Sequence, residues 1–410
     1  IVDEAAAIPG PLLYQMIAGF PRVLLITTVQ GYEGTGRGFL LKLCAALPGV
    51  RMHSLTHPVR WARGCPLEQF ISDLFLFDEQ PIPALSTVIS ADSVTVGQAV
   101  PDQDAEIYRL LTSAHYKTSP LDLRRMLDAP GQHVFQAQWQ SVLCGALWVV
   151  EEGGLPASLS QAVWAGRRRP GGNLVAQSLA AHGGAPLAAT LYGWRISRIA
   201  VLAAFQHQGI GQQLVARMAV TAPDHCDYLS VSFGFTEDLW RFWSRAGFSL
   251  VRIGTVLEAS SGCYTAMAML PLTAQGHALV AHETRRLARD VSWLRPWVTI
   301  DIPVIAEEEH TLDEDDWLEL AGFAFAHRAF STSVAALTRL LLSVEMPLPA
   351  LRGKIEGKKD DAQLSAELAL SGRKALLARL RSEAIQALEC LDNPRCQTLK
   401  NTVLQWQFFQ

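Results

Sequence analysis

The sequence predicts an α/β protein that gives way to a mostly α-helical carboxy-terminal region, on three observations. Short β-branched runs alternate with Gly-rich turns and helical stretches through residues 1–270. At 195–220 a β-branched strand runs into a loop whose glycines open an amphipathic helix. After Met269-Leu270-Pro271, Leu, Ala and Arg recur at helical spacing.

At 410 residues the chain is too long for one ordinary domain, and composition divides it into zones at 1–87, 88–270 and 271–410. These carry 6 basic and 7 acidic, 13 and 13, and 16 and 19 residues, so none is a polycationic arm. A 49% hydrophobic content fills real cores and excludes disordered and fibrous classes. The net charge of −4 argues against a uniformly basic nucleic-acid coat while leaving room for local basic grooves. Seven cysteines, at 44, 65, 144, 226, 263, 390 and 396, are scattered and odd in number, which fits reduced thiols and a cytoplasmic setting. No stretch approaches the roughly 18–20 apolar residues of a membrane span, and no secretory or lipidation signal is present.

In order, the first zone offers a strand at Val23–Ile26, a helix over 38–47 and a boundary near Gln80-Pro81-Ile82-Pro83. The second predicts helices at 104–116 and 120–127 and strands at 132–138 and 142–150. A Gly/Pro/Arg loop at 165–172 follows, then a strand at 195–202, a helix at 209–220 and a strand at 228–232.

Chemistry concentrates at Gln206-His207-Gln208-Gly209-Ile210-Gly211-Gln212-Gln213. A helix N-terminus leaves backbone N–H groups unpaired and partly positive, and glycines let a pyrophosphate approach them. This is a phosphate cradle without a Walker lysine or a Rossmann fingerprint. Gln206-x-x-Gly209-x-Gly211 resembles the acetyl-CoA pyrophosphate motif of the GNAT acetyltransferases, and Leu239-Trp-Arg-Phe-Trp-Ser-Arg245-Ala246-Gly247-Phe248 resembles their following helix and Gly-Phe turn. The resemblance implies acetyl-CoA bound by Ala200, Val201, Leu202, residues 206–213 and Arg245. The strand Ile199–Leu202 would splay from its neighbour to free backbone groups for the pantetheine. For Arg245 a solvated helix position is the competing reading.

A second cluster narrows the resemblance. His115-Tyr116-Lys117-Thr118-Ser119-Pro120, Asp128-Ala129-Pro130, Arg195-Ile-Ser-Arg-Ile-Ala200 and the Arg167-Arg168-Arg169 loop are together similar to the RNA cytidine acetyltransferases. That family implies His115 and Tyr116 in catalysis or acceptor binding, against a capped helix end with His115 merely packed. It implies RNA phosphate contacts at Arg167, Arg168 and Arg169, against solvated surface charge.

Ile1-Val2-Asp3-Glu4 reads as a strand ending in adjacent acids. With Thr27-Thr28 to Gly38 and His57-Pro58-Val59-Arg60-Trp61 it resembles the RecA-like helicase module of the same family. Asp3 and Glu4 would serve ATP or GTP with Mg²⁺ at Asp3, and Arg60 would touch the nucleotide, with Arg37 and Arg63 as weaker candidates. No Gly-x-x-x-x-Gly-Lys-Ser/Thr occurs, so the phosphate-gripping half is expected upstream of Ile1.

The third zone resembles the family's helical tRNA-holding region. Arg285, Arg286, Arg289, Arg373, Lys374 and Arg381 offer a phosphate track, although a solvated face is favoured. The acidic run Glu307 to Asp316 is expected to face away from RNA.

The fold expected is the remainder of a RecA-like module (1–87), a GNAT α/β fold (88–270) and a helical tRNA-binding region (271–410). The implied activity is acetyl-CoA-dependent acetylation of cytidine N4 at the wobble position of elongator tRNA(Met), assisted by nucleotide hydrolysis. The expected partners are tRNA and acetyl-CoA, with no membrane and no obligatory protein partner. The alternatives are a GNAT enzyme acting on a protein or small amine, and an RNA-remodelling ATPase that transfers no acetyl group.

Overall fold

The computed structural model describes residues 1–8, 10–28, 44, 47–55, 57–77, 93–113, 120–258 and 261–406. The helix expected at 38–47, almost entirely, and the 80–83 boundary lie outside them.

At the start, Val2 and Leu25 form a single parallel bridge, with Val2 donating to the Leu24 carbonyl at 2.8 Å and Ile26 donating to that of Val2 at 2.9 Å. The expected opening strand is therefore one bridge long, because Glu4 turns into the left-handed region and a 3-10 turn follows at Ala5–Ala7. Helices α1 (Gly10–Ala18) and α2 (Pro66–Phe75) complete the described part of this segment, and α2 buries no residue.

Among the described residues one sheet of seven strands dominates the centre. The strands are β1 (Val94–Gln98), β2 (Gln132–Trp139), β3 (Val142–Gly153), β4 (Tyr192–Val201), β5 (Tyr228–Gly234), β6 (Ser249–Leu257) and β7 (Tyr264–Pro271). Their order is β1-β2-β3-β4-β5-β7-β6, and only β4 and β5 run parallel. The run Leu143-Cys144-Gly145-Ala146-Leu147-Trp148-Val149 in β3 is continuously buried, the signature of a strand covered on both faces. On one face lie α3 (Asp104–Ser113) and α4 (Pro120–Asp128), whose Ile107, Leu111, Leu123 and Met126 pack on Ala146, Trp148 and Ala200. On the other lies α7 (Ile210–Thr221), with Ile210, Leu214, Val215 and Met218 against Phe135, Leu147 and Ile196.

Between β3 and β4 the chain inserts α5 (Ala157–Trp164) and α6 (Leu174–His182). After β5 comes α8 (Glu237–Arg245), where the Thr236 hydroxyl accepts from the Leu239 N–H.

The helical region comprises α9 (Ala274–Leu294), α10 (Glu314–Phe325), α11 (Val334–Ser343), α12 (Pro349–Ile355), α13 (Asp361–Glu367) and α14 (Arg373–Gln405). Leu320, Phe323, Leu337, Leu340, Leu376, Leu380 and Leu388 form its core. The last helix breaks at Asp392, two residues before Pro394, whose ring denies the preceding turn a donor.

Candidate active site

Strands β4 and β5 pair only from Gly193 opposite Tyr228 to Ile196 opposite Val231. Beyond that point β4 continues to Val201 along β3, while β5 stays with β7 as far as Gly234 opposite Thr265. The parting has a local cause. Trp148 faces Arg198 and Val149 faces Ile196, so Ser197 is an extra residue on β4, and a bulge of this kind bends and twists its strand.

The gap so opened has a defined set of backbone groups. Leu202 donates to the Cys144 carbonyl at 2.9 Å, on the β3 side. Alternation along the strand then commits Ala200 and Leu202 to β3 and turns Ile199 and Val201 toward the gap. Of the expected residues Ala200, Val201 and Leu202, only Val201 turns its backbone toward the gap, and Ile199 does the same. The Val201 carbonyl accepts from Gln206 Nε2 at 2.9 Å, so Gln206 braces the turn out of the strand.

The turn runs through a 3-10 segment, Ala203–Phe205, pinned by the fully buried Phe205. His207 (φ 62°) and Gly209 (φ 84°) are left-handed, and Gly209 caps α7 without any side-chain acceptor for the first N–H groups. The helix lies close to the sheet because β3 carries Gly145 beneath it. A Cβ there would sit 3.1 Å from Leu214 Cδ1 and 3.2 Å from Ile210 Cγ2.

The two motif glycines do different things. A Cβ on Gly209 would meet nothing within 4 Å, leaving the helix terminus open to a ligand. A Cβ on Gly211 would lie 2.9 Å from Phe242 Cε2, so that glycine seats α8 against α7. Gln208 Nε2 donates to the Ala204 carbonyl at 3.2 Å, while Gln212 and Gln213 are half-buried in the first turn of α7. Arg245 is exposed at the end of α8, three residues past Phe242 and so on neighbouring helical ground.

On the opposite face of β4, directly after the bulge, Arg198 Nη2 donates to Asp122 Oδ2 at 2.7 Å and its guanidinium lies 5.7 Å from the Trp148 ring centre. The pair ties α4 to the splayed strand. In the sequence Arg198 stands out only as part of the Arg-Ile-Ser-Arg-Ile-Ala run; an arginine inside a β-branched strand is the signal that it needs a buried partner. His115 and Tyr116 lie outside the described residues.

Asp3, Glu4 and Arg60 are all exposed, and the Glu4 N–H donates to Asp3 Oδ1 at 3.1 Å. Among the described residues no group of three or more His, Cys, Asp or Glu side chains converges to hold a metal, so this pair fits Mg²⁺ only as a fraction of a site.

Arg167, Arg168 and Arg169 are exposed on the loop after α5. That loop packs on the helical region, where the His327 N–H donates to the Ala165 carbonyl at 3.0 Å. The expected track in the helical region divides. Arg285, Arg373 and Lys374 are exposed, but Arg286 pairs with Glu319, Arg289 with Asp313 and Asp316, and Arg381 Nη1 donates to the Ala326 carbonyl at 2.6 Å. The acidic run divides as well: Glu307, Glu308 and Glu309 are exposed, whereas Asp316 is buried between Arg289 and Arg339. Asp315 holds His282 at 2.8 Å, and with Glu283 it raises the imidazole pKa to about 9.

Comparison with known proteins follows the same three parts. Residues 1–78 match the helicase domain of the RNA cytidine acetyltransferases NAT10/TcmA, 106–221 and 212–273 match GNAT acetyltransferase 2, and 276–394 match a tRNA-binding domain. Over its whole length the chain is 58% identical to the tRNA(Met) cytidine acetyltransferase TmcA of Citrobacter koseri, and over 98% it is 57% identical to that of Salmonella typhimurium. The chain belongs to the RNA cytidine acetyltransferase family. It spans 61% and 60% of the lengths of those two relatives. Among its described residues no helix is long and apolar enough to cross a membrane.

Proposed function

We propose that this chain transfers the acetyl group of acetyl-CoA to the exocyclic N4 amine of a cytidine in tRNA. The observation that carries the reading is the gap between β4 and β5 ending at an uncapped helix terminus, because it supplies both backbone groups for an amide-bearing arm and N–H groups for a pyrophosphate. Ile199 and Val201 would meet the pantetheine, and the 206–213 turn with Gly209 open would hold the phosphates. Arg245 would add charge at their rim. Bound acetyl-CoA supplies an activated thioester, so what the protein must add is placement and a proton acceptor. Cytosine's amine is a weak nucleophile, its lone pair delocalised into the ring, and orientation therefore counts for more than with an alkyl amine. We assign that role to His115, oriented by Tyr116. Arg198 and Asp122 hold α4, which follows His115 and Tyr116 in sequence, against the splayed strand.

The names of the relatives, tRNA(Met) cytidine acetyltransferase, support tRNA(Met) as substrate; we further infer the wobble position of elongator tRNA(Met) as target, and a division at 87 and 270 into helicase-like, acetyltransferase and tRNA-holding parts. Nucleotide hydrolysis, with Asp3, Glu4 and Arg60 contributing and Mg²⁺ at Asp3, would serve to extract the base from its stack, since the thioester already drives the chemistry. The setting we infer is the cytoplasm. Incubation with labelled acetyl-CoA and total tRNA tests the reading. N4-acetylcytidine in tRNA is the expected product; acetylated protein or amine, or nucleotide turnover without acetyl transfer, would overturn it. His115→Ala should keep acetyl-CoA affinity and lose turnover.

A further inference from the structure

Where β6 meets the helical region a cleft of about 230 Å³ opens, lined by His182, Arg252, Arg286, Thr255, Thr265 and Ser331 among others. It is smaller than the roughly 300–1,000 Å³ of pockets that take drug-sized ligands, which suits a single compact group. Its charge is unevenly matched. Glu283 and Asp290 also line it, but Glu283 faces His282 at 3.2 Å and Asp290 accepts from Arg339 at 2.6 Å. Arg286 is held by Glu319 and donates to the His182 carbonyl at 3.3 Å. Arg252 alone lacks such a match: its Nη1 donates to Ser178 Oγ at 3.1 Å, and among the described residues no carboxylate lies within ion-pair distance.

Burial and the nearby Arg286 and Arg328, against the opposing Glu283, bring Arg252 down to about 10, and burial with Arg252, Arg328 and Arg169 holds His182 neutral, with a pKa near 3. The involvement of Arg169 also shows that the exposed 167–169 loop lies within electrostatic reach of the cleft. A polyanion spanning loop and cleft would meet Arg167, Arg168 and Arg169 as well as Arg252, whereas a free ion would meet only the arginines of the cleft.

We propose that this cleft is a phosphate-binding site, filled by a backbone phosphate of the RNA substrate; the choice of RNA as the source rests on the function proposed above. The hydroxyls of Ser331, Thr255 and Thr265 would share the phosphate oxygens with Arg252.

Two variants test it. Arg252→Gln removes the unmatched charge, and Val256→Glu places a carboxylate at the mouth on a side chain 71% exposed, where folding is not at stake. Inorganic phosphate at about 20 mM, against chloride at equal ionic strength, should raise the unfolding temperature of the wild type and of neither variant. Both variants should lose about 3- to 10-fold in tRNA affinity and flatten the salt dependence of binding by about one contact, with acetyl-CoA affinity unchanged. A wild type indifferent to phosphate would overturn the site. A phosphate response abolished in both variants with tRNA affinity intact would overturn RNA as the source and leave free phosphate. Absence of N4-acetylcytidine with the phosphate response intact would sink the functional reading and not the site.

Discussion

Replacing each motif glycine by alanine should separate ligand binding from folding. At Gly209 a methyl group touches nothing within 4 Å, and the whole cost is the left-handed backbone at φ 84°, about 1–2 kcal/mol for a residue with a Cβ. That is a roughly 5- to 30-fold penalty on the loop geometry, and if the loop relaxes to escape it, the N–H groups at the start of α7 lose their common direction. At Gly211 the alanine gains up to about 1 kcal/mol of helix propensity but drives its methyl toward Phe242 Cε2 at 2.9 Å, and overpacking of this kind costs about 1–3 kcal/mol. Phe242 cannot retreat freely because its ring packs edge-on against Trp243 at 4.8 Å. Calorimetric titration with acetyl-CoA beside urea unfolding reads both quantities. Gly209→Ala should weaken acetyl-CoA by about 5- to 30-fold, and Gly211→Ala should lose stability by up to about 2 kcal/mol with affinity held within about threefold. Wild-type affinity in Gly209→Ala would remove the loop from the cofactor site.

Glu152→Gln should destabilise the fold by about 3 kcal/mol in urea unfolding: this buried carboxylate accepts from the N–H groups of Leu174 (2.7 Å) and Val175 (2.8 Å) and pairs with Arg195, and the amide leaves that arginine uncompensated. His282, its pKa raised to about 9 by Asp315 and Glu283, contributes stability that is fully present below its unfolded value near 6.5 and is lost as pH rises through about 9. Unfolding temperatures across pH 6 to 10 should show that decline, and Asp315→Asn should flatten it. Replacing Arg167, Arg168 and Arg169 together by Gln should lower the salt slope of tRNA binding by roughly two to three, measured by filter binding, with acetyl-CoA affinity unchanged.

The strand, turn and helix of the 196–218 segment were legible because their signals are local: β-branched residues at 196, 199 and 201, a glycine at 209 where φ is positive, and an apolar face at Ile210, Leu214 and Met218. The bulge at Ser197 was not, since no residue type marks it and only the mismatch between β3 and β4 creates it. For the same reason the sequence could not say which of residues 199–202 face the gap. Helices α5 and α6 went unread because they are apolar nearly all round, Ala162, Val163 and Trp164 in one and Val175, Ala176, Leu179 and Ala180 in the other, so helical periodicity is weak. Strand β7 was missed for a related cause: Ala266, Met267, Ala268 and Met269 are buried on both faces and show no alternation.

The arginines were the least readable class, since an arginine at a helical position looks alike whether it meets water, a carboxylate or a phosphate. Arg328 shows what the difference is worth. It is fully buried, lies 4.6 Å from the Trp164 ring centre, and donates to the carbonyls of Trp164, Ala181 and Gly183, which end helices α5 and α6. A guanidinium placed there meets the negative ends of two helix dipoles at once. Arg381 extends the arrangement by donating to the Arg328 carbonyl at 3.2 Å. One buried side chain from the helical region thus fixes the inserted helices, and with them the loop bearing Arg167, Arg168 and Arg169. The exposed arginines therefore stand on a frame set by the buried ones, which under the function proposed above would let the loop present its charge to RNA in one place.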